Sequence, residues 1–172
     1  MKRTKFLFLS LAIPSLFLLG SCKHDKHDCK DHDHHHADVE LVAKPMIMDV
    51  EEATIENESY QTESWTGKYL QLVFMSLKPG EVIDLEVHED HDQFIRIEKG
   101  EARVLMGLTK DDLNFDEKVS YDWAILIPAG YWHKIENIGE TDLKIYTLYG
   151  PPEHAKGTDN KTYKDAKENH KH

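Results

Sequence analysis

A chain of 172 residues is long enough for one domain and short for two, so a single core is expected. With 21 basic residues against 32 acidic ones the formal charge is −11, which argues against nucleic acid and anionic lipid as partners. The two cysteines provide no disulfide framework. The chain opens on the basic run Met1-Lys2-Arg3-Thr4-Lys5, followed by an apolar stretch from Phe6 to Leu19. That stretch is too short and too one-sided to span a bilayer permanently, and residues 1–21 read as a secretory signal.

The signal ends on Leu19-Gly20-Ser21-Cys22, which resembles a bacterial lipobox, in which small residues precede a cysteine that is acylated and becomes the new N-terminus. The resemblance implies lipidation at Cys22; cleavage as a plain signal nearby is the alternative. Acyl chains at Cys22 would hold a soluble domain in the bacterial cell envelope, on the periplasmic or outer-membrane side, with the lipid as its only membrane contact. Loss of Lys2, Arg3 and Lys5 with the signal takes the formal charge from −11 to −14 and leaves Cys29 without an intramolecular partner. Residues 22–45 then form the lipidated cysteine and a tether. Between residues 23 and 38 lie six histidines (His24, His27, His32, His34, His35 and His36) and five aspartates, with no apolar residue beyond Cys29 and Ala37. Such a segment cannot bury a core and should stay solvated. Imidazole is nonetheless a good ligand for zinc, copper or nickel, so weak, heterogeneous metal binding is expected there. A polar spacer and a metal-buffering segment both remain open.

From Met46 the composition turns globular. Short β-branched and aromatic runs alternate with Gly, Asn, Asp and Pro, the pattern of an all-β domain over residues 46–152. The expected strands are Leu70 to Leu77, Ile83 to His88, Gln93 to Ile97, Ala102 to Met106, Ala124 to Ile127, His133 to Glu136 and Leu143 to Tyr149. Turn signals stand between them at Pro79-Gly80, Lys99-Gly100, Pro128-Ala129-Gly130 and Asn137-Ile138-Gly139. This spacing argues for a sandwich or barrel and against a parallel α/β sheet. Residues 153–172 form a charged C-terminal tail that should lie on the surface or fray.

Two stretches carry the chemistry. Gly80-Glu-Val-Ile-Asp-Leu-Glu86-Val-His88, continuing through Gln93 to Gly100, resembles the first cupin motif, Gly-x5-His-x-His-x3,4-Glu-x6-Gly, with every spacing retained. Glu86 stands where that family has its first histidine, and Gln93 where it has its glutamate. The second motif, Gly-x5-Pro-x-Gly-x2-His-x3-Asn, is matched from Asp122 through Pro128, Gly130 and His133 to Asn137, with only the leading glycine replaced, by Asp122. Trp65-Thr-Gly67-Lys, the Asp92-Gln-Phe-Ile-Arg-Ile run and Tyr149-Gly-Pro-Pro-Glu-His154 extend the resemblance to a group of small single-domain cupins, distantly similar to the cupin domains of mannose-6-phosphate isomerases. The resemblance implies a double-stranded β-helix, a jelly-roll barrel whose two motifs point a ligand cluster into its mouth, and an available homodimer. It implies no substrate, since the fold hosts many activities.

The residues also argue for a metal directly. Alternation along a strand puts Glu86 and His88 on one face and Leu85 and Val87 on the other. An inward carboxylate without a partner is costly, and a divalent cation held by Glu86, His88, Gln93 and His133 would satisfy it. Two histidines and one carboxylate suit iron, manganese, nickel or zinc, so the metal's identity stays open. The alternative is a metal-free barrel in which these groups hydrogen-bond one another. His91 reads as a solvated loop histidine, Arg96 as half of a surface or interface ion pair, and Trp123, Tyr131 and Trp132 as packing or rim residues. The sequence has no Ser-His-Asp or Cys-His nucleophile arrangement, phosphate-cradling loop or Rossmann fingerprint. The expected function is that of a metal-binding cupin lipoprotein, either an isomerase- or dioxygenase-like enzyme acting on a small molecule in the barrel mouth or a non-catalytic binder of divalent metal or small ligands.

Overall fold

In the computed structural model of the protein, residues 43–169 are described. The expectations for the signal, for Cys22 and for the tether histidines His24, His27, His32, His34, His35 and His36 lie outside the described residues. The described chain begins with α1 (Val50–Glu56), capped by Asp49, whose Oδ1 accepts from the Glu52 amide at 3.1 Å; Glu51 and Glu52 complement the helix dipole. Ten strands follow: β1 (Gln61–Thr66), β2 (Gln71–Leu77), β3 (Val82–Glu86), β4 (Asp92–Lys99), β5 (Glu101–Gly107), β6 (Phe115–Ser120), β7 (Ala124–Ile127), β8 (Trp132–Asn137), β9 (Leu143–Gly150) and β10 (Asp159–Asn160). A short α2 (Tyr163–Asn169) comes last. No helix among the described residues is long and apolar enough to cross a membrane.

The strands form two antiparallel sheets, ordered β10-β1-β2-β9-β4-β7 and β3-β8-β5-β6. Strand neighbours in space are rarely neighbours in sequence, as in the double-stranded β-helix that the motifs imply. Alternate residues bury one face of each strand. Val73, Met75 and Leu77 of β2, Ile95 and Ile97 of β4, Val104 of β5, Ile125 and Ile127 of β7, Ile135 of β8 and Leu143 and Ile145 of β9 make one continuous core.

Each strand expected from the sequence is present, with ends within two residues of those expected. β1 and β6 were not expected. Their sequences, QTESWT and FDEKVS, lack a clean apolar alternation because β6 is an edge strand with one buried residue and β1 is half covered. The C-terminal segment departs from expectation too. Instead of fraying after Pro152, it returns to the sheet, pairing Asn160 with Gln61 and burying Ala166 to 4% exposure, while Tyr163 packs edge-on against Tyr60. Few apolar residues are needed for this docking because buried Asn160 donates to Gln61 Oε1 at 2.8 Å and the Tyr163 hydroxyl donates to Asp84. Polar anchors of this kind are invisible to a hydrophobicity reading.

Candidate metal centre

The site is built where β3 lies against β8. Ile83 faces Ile135 and Glu86 faces His133, so three residue steps on β3 span two on β8, the mark of a β-bulge. Strict alternation would put Ile83 and Glu86 on opposite faces; the extra residue turns both inward and leaves Leu85 37% exposed. Past the end of β3, the His88 carbonyl accepts from the Gly130 amide at 2.8 Å. Gly130 occupies φ +80° in the turn closed by the Tyr131 amide on the Pro128 carbonyl, a conformation natural to glycine at this turn position. That turn fixes the start of β8 and with it His133, whose side chain is fully buried.

Three ligand atoms converge. His133 Nε2 lies 3.3 Å from Glu86 Oε1, and His88 Nε2 lies 3.4 Å from the same oxygen without hydrogen-bond direction. His133 Nδ1 sits 3.1 Å from the Tyr131 carbonyl, which can only accept, so Nδ1 carries a hydrogen and Nε2 is the ring atom turned to the carboxylate. Two electron-rich atoms at this distance repel unless a proton or a cation lies between them. Ligands about 2.0–2.1 Å from a tetrahedral cation stand roughly 3.3–3.4 Å apart, which is the spacing found here. Burial works against charge on Glu86, but the two imidazoles outweigh it and hold its carboxyl down to about 2. Burial likewise opposes charge on His88, and the Glu86 carboxylate raises its pKa nonetheless.

The structure brings Glu86, His88 and His133 together, all ligand atoms within 4.8 Å of one another. Gln93 is 3% exposed; its Nε2 donates to Thr147 Oγ1 at 3.1 Å, and its Oε1 is a buried acceptor with no hydrogen-bond partner. Such an orphaned oxygen suits a cation better than an apolar wall. His91, read from sequence as a solvated loop residue, is instead 6% exposed, because its ring stacks on His88 at 4.4 Å and meets Tyr149 edge-on. The acidic residues around it mask that burial in the sequence. Arg96 forms the expected ion pair, with Asp122 and with Glu98. Of the aromatics, Trp123 is 55% exposed and Tyr131 packs against the core.

Beside Glu86 opens a cavity of about 370 Å³, within the size range of small-molecule sites. Tyr60, Met75, Ile83 and Tyr149 give it apolar walls, while His154 and Lys167 reach it from the C-terminal segment. Sequence reasoning missed the last two as cavity residues. His154 closes the Tyr149-Gly-Pro-Pro-Glu-His154 run and was within reach; Lys167 had no signal short of knowing where α2 docks.

Comparison with known proteins bears on the assignment. The family profile of the Cupin domain matches residues 73–149, which run from within β2 to nearly the end of β9 and hold both motifs. The Bacillus subtilis protein YrkC is 48% identical over 123 residues, 72% of this chain and 66% of that protein, and an Acanthamoeba polyphaga mimivirus protein is 46% identical over 112 residues, 64% of this chain and 68% of that one. The chain thus spans about two thirds of the length of these relatives. A Bacillus halodurans protein of known crystal structure is 43% identical, with a TM-score of 0.72 over 73% of this chain and 95% of its own. Strand order, motif spacing and these relatives agree: the chain belongs to the cupin family.

Proposed function

We propose that this cupin holds one divalent cation on Glu86, His88 and His133, with the Gln93 amide oxygen as a further donor, and works on a small carbonyl- or hydroxyl-bearing molecule in the adjoining cavity. The observation that carries this reading is the His133 ring, tied through Nδ1 to the Tyr131 carbonyl and holding Nε2 3.3 Å from Glu86 Oε1, the spacing of two ligands on one tetrahedral cation. Iron, manganese, nickel and zinc all suit the donor set. When bound, such an ion supplies Lewis-acid polarisation or an activated water. Glu86 provides the one negative charge among these donors, so the site keeps a residual charge of about +1 that favours an anionic or enolisable ligand. Tyr60 and Tyr149 stay protonated, since burial pushes both hydroxyls well up, and they present hydrogen-bonding rather than charged walls. The reaction class this supports is isomerase- or dioxygenase-like, performed by a protein tethered through Cys22 to a bacterial membrane.

A second reading, a non-catalytic envelope protein that collects divalent metal or small ligands, is favoured by the six histidines between residues 23 and 38. Zinc titration of the full chain, followed through the ring-nitrogen NMR signals of individual histidines, tests the centre itself. His133 Nε2 should take a metal-bound shift, and Glu86→Ala should abolish it; a His133 ring indifferent to zinc overturns the proposal. Metal analysis of the protein as isolated separates the two readings. Iron or manganese at one per barrel supports the enzyme, and zinc or copper lost on deleting residues 23–38 supports the collector.

A further inference from the structure

Beside Glu86, His88 and His133 lies a buried ring nitrogen that the centre does not use. His91 Nε2 is buried with no hydrogen-bond partner, in a side chain only 4% exposed. Its Nδ1 lies 2.9 Å from Asp90 Oδ1, and a carboxylate can only accept, so Nδ1 carries a hydrogen and Nε2 is the ring atom left for another partner. Glu153 Oε2 lies 3.3 Å from that Nε2 without hydrogen-bond direction. His133 and Glu86 show the same spacing, with the far nitrogen on an acceptor and the near nitrogen 3.3 Å from a carboxylate oxygen, one tetrahedral edge away. A carboxylate behind an imidazole is also how metal-ligating histidines are commonly oriented.

The remaining donor is His88, whose ring stacks on His91 at 4.4 Å; one ligand atom from each of His88, His91 and Glu153 lies within 4.8 Å of the others. Glu153 is not a loose surface carboxylate. Its amide, like that of His154, donates to Oε1 of fully buried Gln71, which fixes the backbone beside β9. We infer that His88, His91 and Glu153 form a second cation site beside the first, an alternative to it because His88 has one lone pair to give. Two imidazoles and one carboxylate select borderline divalent ions such as zinc, nickel or cobalt over calcium or magnesium. Glu153 is one-third exposed, so this set is open to solvent ions.

The test isolates the second set by disabling the first. In the full chain carrying His133→Ala, zinc should still move His91 Nε2 to a metal-bound shift, and adding Glu153→Ala should weaken that response by about tenfold or more. Because the readout is resolved by residue, zinc taken up by the tether changes only the amount added. Glu86→Gln disables the first set in a second way and guards against misfolding of the His133 variant. A His91 ring unmoved by excess zinc in both backgrounds would mean an imidazolium bridging Asp90 and Glu153, and would overturn the inference. So would a shift that survives Glu153→Ala unchanged. Loss of the response at His133 alone, in the otherwise native chain, would count against the first centre and leave this one standing.

Discussion

Gln93 shows how a single side chain balances folding against binding. Its amide is neutral, so the fold can bury it at the cost of one unsatisfied oxygen, whereas the glutamate usual at this motif position would bury a charge. Gln93→Glu should therefore lower the melting temperature of the metal-free protein, since an uncompensated buried carboxylate costs several kcal/mol. The same variant should gain more stability from saturating zinc than the wild type does, because the ion then has a second negative ligand and binds the folded state more tightly. Thermal melts of both proteins with and without zinc measure this difference, and equal gains would show that Gln93 lies outside the ion's reach. The identities of Glu86, His88 and His133 were legible in the sequence because motif spacing encodes them. The burial of His91 was not, since it arises from a stacked ring and a returning C-terminal segment, neither of which leaves a local pattern.

At the level of elements, the bulge in β3 and the docking of the C-terminal segment decide what the site looks like. Simple alternation put Glu86 and His88 on one face correctly, but it could not reconcile that face with Ile83, which shares it only through the extra residue. Strands with one buried apolar face were readable; β1, β6 and β10 were not, because polar edges and hydrogen-bonded pairs hold them. The segment after Pro152 matters energetically. Fully buried Gln71 donates to the His154 carbonyl and to Thr66 Oγ1 and accepts from two amides of residues 153 and 154, so removing that segment strands most of its amide. One such orphaned group costs about 1–3 kcal/mol. Ending the chain after Pro152 should lower the urea midpoint by at least that much, with further loss from exposing Tyr60 and the Ala166 contact. An unchanged midpoint would mean that the segment only rests on the barrel.

At the level of the whole molecule, the sequence holds two sets of metal-ligating residue types with different physical bases. The barrel's donors are held by strand pairing, a turn and buried hydrogen bonds, so their spacing is set before any ion arrives. The stretch from residue 23 to 38 has ligands of the same chemical types but, apart from Cys29 and Ala37, no apolar side chain to bury against a partner surface. Burial worth about 25 cal/mol per Å² is the main force available for docking one segment on another, and this segment has almost none to offer. Its binding should therefore be weak, multivalent and independent of the barrel. Deleting residues 23–38 from the full chain should reduce the zinc bound at high concentration while leaving the zinc-dependent gain in melting temperature and the His133 ring shift unchanged. Equilibrium dialysis measures the first quantity and the melts and NMR titration the other two. A barrel that loses its His133 response along with the tether would show that the histidine-rich segment supplies a ligand to the centre, and the independence argued from its composition would fail.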